Sequence, residues 1–203
     1  MTFRIEEKII LKNCSIIDLK QWLNKNNYQP LHPNRKIISL YFENKSNNIY
    51  LDSEEGSVPR KKIRIRNYNQ FKSEDYNLEI KISSIEGRYK VNKKIKHKEF
   101  TKYIKIGYFD KFYGVCYPKV YVEYDRQYFY DKKFRVTVDT NIQYKAFNSN
   151  DIFKDSTNIV EFKSKNLELK NWIYEKLPFS KERFSKYCRS SKFINFYCKY
   201  NLE

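Results

Sequence analysis

Residues 60–66, RKKIRIR, constrain the fold more than any other stretch of the chain. Polar and apolar residues alternate there with a period of two, the mark of a β-strand rather than a helix. Arg60, Lys62, Arg64 and Arg66 therefore share one face, while Ile63 and Ile65 point the other way. A face with four cations and no acid must be hydrated or meet an anion, because like charges at strand spacing repel one another.

The same division recurs. Arg4, Glu6 and Lys8 lie opposite Ile5 and Ile9; Glu79 and Lys81 oppose Leu78, Ile80 and Ile82. Arg135, Thr137 and Asp139 oppose Val136 and Val138, and Glu161 and Lys163 oppose Val160 and Phe162. Period-two segments fall at 3–11, 38–43, 58–68, 77–83, 89–96, 118–128, 133–139 and 158–163, a strand count suited to a closed antiparallel sheet. Helical patterns cover 15–26, with Ser15 as N-cap, then 98–107, 166–176 and 180–200. Four Gly, five Pro and no Ser/Gly-rich linker argue for a single domain over 1–203. The expected fold is α+β: a closed, eight-stranded antiparallel β-barrel with flanking helices.

Two readings of the charged faces are open: an amphipathic sheet with its polar side in water, or a barrel whose apolar faces pack outward on helices and whose charged faces line the interior. Composition bears on the choice. The 203 residues carry 41 Lys+Arg against 24 Asp+Glu, a net charge of +17, which implies a polyanionic partner: nucleic acid, acidic membrane or polyanionic small molecule. With 40% hydrophobic and 18% aromatic residues, the chain is not a disordered basic tail. Cations crowded into an interior would need an anion to compensate them, so the second reading calls for a polyanionic ligand.

Other features exclude more than they suggest. Cys14, Cys116, Cys188 and Cys198 lack zinc-type spacing and read as reduced thiols, and His32 and His97 read as surface residues. The N-terminus enters a patterned segment at once, and no apolar run is long enough to span a bilayer, so the expected location is the cytoplasm.

The segments RIEEK at 4–8, SLYFEN at 39–44, IRIRNY at 63–68, LEIK at 78–81, YDRQYF at 124–129, FRVTVDTNI at 134–142, VEFK at 160–163 and FSKY at 184–187 together resemble the VTC domain. That domain is the polyphosphate-polymerase branch of the triphosphate tunnel metalloenzymes, a superfamily shared with CYTH-type triphosphatases. The resemblance implies a tunnel in which basic side chains grip a phosphate chain and an acidic residue holds Mn²⁺ or Mg²⁺. Carried over by motif, Arg64, Arg66, Arg126, Arg135 and Lys186 would act on the transferred phosphate. Lys8, Lys81, Lys94, Lys90 and Arg183 would hold substrate, with Lys94 preferred to Lys90, and Glu161 would be the metal ligand. Arg126 shares parity with Val120, Val122 and Tyr124, so a bulge or strand end near Asp125 is expected. Asp139 reads as a salt-bridge partner or turn residue rather than a base.

The activity implied is transfer of the γ-phosphate of ATP to a growing polyphosphate chain, with ATP and polyphosphate or triphosphate as partners and no nucleic acid. The alternatives are a metal-dependent triphosphatase, or a non-catalytic polyphosphate- or RNA-binding module. Hydrolytic relatives often carry E-x-E-x-K on the first strand, where this chain has Arg4 in place of the first Glu. Metal preference, product length and oligomeric state are not legible in the sequence.

Overall fold

The computed structural model describes residues 5–11, 16–68, 76–164 and 184–200. Its strands are β1 (Ile5–Leu11), β2 (Gln29–Asn44), β3 (Arg60–Tyr68), β4 (Tyr76–Ser84), β5 (Gly87–Ile95), β6 (Tyr108–Asp110), β7 (Gly114–Tyr130), β8 (Arg135–Ala146), β9 (Ile152–Asp155) and β10 (Asn158–Ser164). The helices are α1 (Ile16–Lys25), α2 (Asn48–Glu55), α3 (His97–Ile106) and α4 (Lys186–Tyr200). All eight expected strands occur, at shifted bounds; β6, β9 and α2 were not anticipated. Ser15 and the expected helix at 166–176 lie outside the described residues.

The strands pair in the order β1-β10-β8-β7-β2-β3-β4-β5, with β6 on β7 and β9 on β8. Among the described residues no ladder joins β1 to β5, so the expected closed barrel is corrected to an open sheet. The reason lies in β5: Arg88, Lys90, Lys93 and Lys94 are all exposed, and a lysine-rich strand of this kind is how proteins keep a sheet edge from pairing.

The chain divides into two compact units: 1–35 with 124–142 and 154–184, and 36–123 with 143–153 and 185–203. In the first, β1 pairs with β10 and β10 with β8. Their apolar face, Ile9, Leu11, Val136, Val138, Val160 and Phe162, packs against Leu19 and Leu23 of α1, one helical turn apart, with Tyr28 and Phe134 completing the core. Leu19 and Leu23 are fully buried, so truncating either to Ala costs about 2–5 kcal/mol. Helix α1 stops where Asn26 donates its side-chain amide to the Trp22 carbonyl at 2.8 Å and Asn27 turns left-handed, φ 60°.

In the second unit, cross-strand pairs Leu40–Ile65, Phe42–Ile63, Ile63–Ile80 and Ile65–Leu78 form one aliphatic face. Helix α4 begins at Lys186, where Ser185 caps it, its hydroxyl accepting from Cys188 N at 3.2 Å; residues 180–183 of the expected helix lie outside the described residues. Helix α2 is capped from a distance. Its N-cap, Asn47, makes no side-chain capping bond; instead the buried Glu43 accepts from Ile49 N at 3.1 Å and Tyr50 N at 2.9 Å. The Tyr187 hydroxyl of α4 donates to the same carboxylate.

Candidate functional site: two charged faces

Pairing of β2 to β5 stacks the second unit's polar side chains in rows across the sheet: Tyr41–Arg64–Glu79–Asn92, Ser39–Arg66–Asn77–Lys94 and Lys62–Lys81–Lys90. Glu79 is the single carboxylate that β3 to β5 put on this face, and it is 1% exposed. Arg64 donates to its Oε2 through Nε at 2.7 Å and Nη2 at 2.5 Å, and through Nη1 to the Tyr41 hydroxyl at 2.7 Å. Arg66 lies 3.7 Å from the same oxygen and donates Nε to Ser39 Oγ at 3.2 Å. Lys90 Nζ donates to Oε1 at 2.6 Å. Burial pushes the Glu79 carboxyl up, but Arg64, Arg66 and Lys90 outweigh it and hold it at about 2.

Because Arg64 and Arg66 are buried, the polar side of β3 is not a face turned to water. Glu79 is the counter-ion that β4 supplies to these cations, and it is outnumbered. Lys62 is drawn to α4, donating Nζ to Ser185 Oγ at 2.8 Å and lying 5.6 Å from the Tyr187 ring centre. Tyr187 in turn lies 5.1 Å from Tyr41, whose phenol is pushed up by burial yet held below its usual value by Arg64, Arg66 and Lys62. Lys81 is half-buried in the sheet and Lys186 half-buried in the first turn of α4. Lys94 shares the face but is exposed; Lys90, ranked below it from the sequence, is the one that reaches the buried carboxylate. Arg183 lies outside the described residues.

The first unit's charged face is built differently. Lys8–Glu161–Thr137 and Glu6–Lys163–Arg135 form adjacent rows, so acids and bases alternate between β1 and β10, while Arg135 stands across from Lys163. Lys163 Nζ is 3.2 Å from Glu161 and 3.8 Å from Glu6, and Lys8 is 3.6 Å from Glu6. Arg126 grips Asp139 with both arms, Nε to Oδ1 at 2.5 Å and Nη2 to Oδ2 at 2.7 Å, and reaches Glu161 at 4.0 Å. It does so from β7, following Tyr124, whose ring it covers at 5.2 Å, and no strand end falls near Asp125. Asp139 is the salt-bridge partner the sequence indicated. Burial alone would raise the Glu161 carboxyl, but contact with Glu6 and the charges of Lys163, Lys8 and Arg126 hold it well below the usual range. Two buried polar atoms on this face, Arg135 Nε and Thr137 Oγ1, make no hydrogen bond. Buried groups in that condition mark a place where a ligand oxygen would be welcome.

Among the described residues no three His, Cys, Asp or Glu side chains gather into a metal nest. Glu161 and the Glu6 it touches form a two-carboxylate set of hard oxygens, which suits Mg²⁺ or Mn²⁺ provided phosphate oxygens supply the remaining ligands. His32 and His97 are exposed, as expected, and Cys116 and Cys188 are free thiols. Glu79, Tyr41, Tyr187, Glu6 and Lys163 belong to these faces without having been assigned roles from the sequence. Alternation already placed Glu79, Glu6 and Lys163 on the polar sides; the parts of Tyr41 and Tyr187 depend on where α4 lies.

Solved structures share this arrangement of strands. A candidate adenylate cyclase from Bacillus halodurans matches with a TM-score of 0.60 and 12% identity over 91% of this chain and 96% of that one. A candidate adenylyl cyclase from Hippeastrum, described as having a dominant triphosphatase activity, matches with a TM-score of 0.58 and 15% identity over 94% and 96%. A conserved hypothetical protein from Pyrococcus furiosus gives 0.56 and 17% over 92% and 99%. The chain thus shares the fold of these solved structures. No curated protein matches the sequence. The chain belongs to the VTC domain family, whose family model matches residues 3–195.

Proposed function

We propose that this protein is a metal-dependent polyphosphate polymerase, which transfers the γ-phosphate of ATP to the end of a polyphosphate chain and releases ADP. The observation that carries the reading is the excess of cations over Glu79 on the second unit's face, in a chain of the VTC domain family. Phosphoryl transfer asks a protein for alignment and for neutralisation of oxygen charge rather than for covalent chemistry.

Arg64 and Arg66, held flat by Glu79, Tyr41 and Ser39, present fixed guanidinium planes to phosphate oxygens. Lys81, Lys90, Lys94, Lys186 and Arg183 add charge along the phosphate chain. Arg126, oriented by Asp139, and Arg135, with its unsatisfied Nε, bind oxygens of the transferred group. Lys8 and Lys163 keep Glu161 ionised. Glu161 with Glu6 would hold Mn²⁺ or Mg²⁺, which when bound offsets charge on the phosphates. The acceptor is an already ionised phosphate oxygen, so no general base is required.

A second reading, hydrolysis of a triphosphate, is favoured by one observation: Glu6 touches Glu161, giving the first unit more than a lone carboxylate. Incubation with ATP and Mn²⁺ followed by gel separation of polyphosphate from free phosphate tests both. A ladder of long chains is the expected result; orthophosphate alone would replace polymerisation with hydrolysis, and neither product would leave a binding module.

A further inference from the structure

The outer sides of α3 and of the β6–β7 hairpin, both in the second unit, take no part in the charged faces. On α3, Lys98, Lys102 and Lys105 recur at helical spacing and are exposed. Phe100 and Tyr103 turn inward, Phe100 stacking on Tyr76 at 4.3 Å and Tyr103 meeting Tyr108 edge-on at 5.4 Å. The helix's one acid, Glu99, accepts from Lys93 Nζ at 2.8 Å and Lys96 N at 3.1 Å, so the lysine stripe has no counter-ion on its own helix.

The helix ends at Ile106, 59% exposed, and turns at Gly107, φ 83°. A Cβ at Gly107 would stand 2.8 Å from Val115 Cγ1 and 3.3 Å from Tyr117 Cδ1, so the helix end abuts the hairpin's outer face. There Phe109 pairs with Val115, at 67% and 40% exposure, while Asp110 and Cys116 on the other side are buried. The hairpin is rigid. Asp110 accepts from Phe112 N at 2.9 Å and Tyr113 N at 3.2 Å, and Lys61 Nζ reaches it at 2.7 Å, so Phe112 is held outward, 57% exposed. Lys45, 6.0 Å from the Tyr117 ring centre, adds a cation at the rim.

Five exposed apolar or aromatic side chains thus continue a lysine stripe. A phosphate chain in solution would use the lysines and gain nothing from Phe109 or Phe112, whereas an anionic bilayer rewards both: headgroups attract the lysines and the interfacial layer takes in the rings. We propose that this face docks the protein peripherally on anionic phospholipid membrane, α3 along the headgroups and the hairpin tip in the interfacial layer.

The test is co-sedimentation of the full chain with phosphatidylcholine vesicles and with vesicles carrying roughly a third phosphatidylserine, triphosphate being kept saturating to occupy the charged faces. The protein should sediment only with the phosphatidylserine vesicles and be released by salt. Joint Lys98→Glu, Lys102→Glu and Lys105→Glu should weaken the partition by roughly a hundredfold or more. Phe109→Asp should weaken it by about tenfold, and both variants should keep the parent's thermal melt. Absence of vesicle binding would overturn the proposal. So would binding that survives the lysine changes, or that is lost with the lysines yet indifferent to Phe109→Asp, the pattern of a surface for soluble polyanions.

Discussion

In the first unit acids and bases alternate across β1 and β10, Lys8 against Glu161 and Glu6 against Lys163, whereas in the second a single carboxylate, Glu79, serves Arg64, Arg66 and Lys90 on a face that also carries Lys62, Lys81 and Lys94. The paired charges of β1 and β10 offset one another. An unbalanced set is held by one group and gains from any anion that arrives. The first arrangement suits orienting a reacting group and a metal; the second suits gripping a chain of negative charges.

The largest effect that would break this contrast concerns turnover. Arg64→Ala should lower phosphoryl transfer by about a thousandfold, read as initial rate with ATP and Mn²⁺; a loss of less than tenfold would remove Arg64 from the reaction. Glu161→Gln should abolish the metal dependence of the rate while leaving the second unit's affinity for triphosphate intact, as seen by calorimetry. Equal loss of both would deny the division of labour.

Next in size is the stability of the lopsided face. Glu79→Gln leaves buried Arg64 and Arg66 without their anion and should cost about 3 kcal/mol, measured by urea unfolding. Millimolar triphosphate should restore much of that loss, and do so better than monophosphate; no restoration would mean the face does not bind phosphate chains. Titration approaches the same group from another side. Glu79 is held at about 2 in the folded protein, below its unfolded value. Its contribution, on the order of 3 kcal/mol, is therefore complete above pH near 4.5 and disappears as pH falls toward 2. Glu79→Gln should flatten that part of the acid-unfolding curve. Smallest is Tyr187→Phe, which removes one hydrogen bond to Glu43 and should cost about 1 kcal/mol without changing turnover more than severalfold.

Much of this was legible in the alternation. Period two put Arg64 and Arg66 on one face with Lys62, and Glu161 with Lys163 on another, because side-chain direction in a strand follows from backbone geometry alone. Closure was not legible. Whether a sheet's last strand meets its first depends on twist accumulated over every strand, and the lysines of β5 were counted as binding groups rather than as the charges of an unpaired edge. The counter-ion role of Glu79 was missed for a related reason: alternation assigns a side, but only the register of β3 on β4 sets Arg64 directly across from that carboxylate. The order of Lys90 and Lys94 was not legible even from register, since both lie diagonal to Glu79 and only Lys90 bonds to it. Helix α2 was hidden because its cap, Glu43, sits in the preceding strand and follows no local capping signal.

Glu43 and Tyr187 are separated by 144 positions, yet one phenol closes the hydrogen-bonding of a carboxylate that begins a helix near the chain's start. During synthesis, β3 to β5 can zip together from neighbouring segments soon after they leave the ribosome, but Glu43 must wait until Tyr187 has emerged. Helix α4 therefore completes the anchor of α2, and a ribosome that stalls before codon 187 would release a product with its hairpins formed and that anchor unfinished.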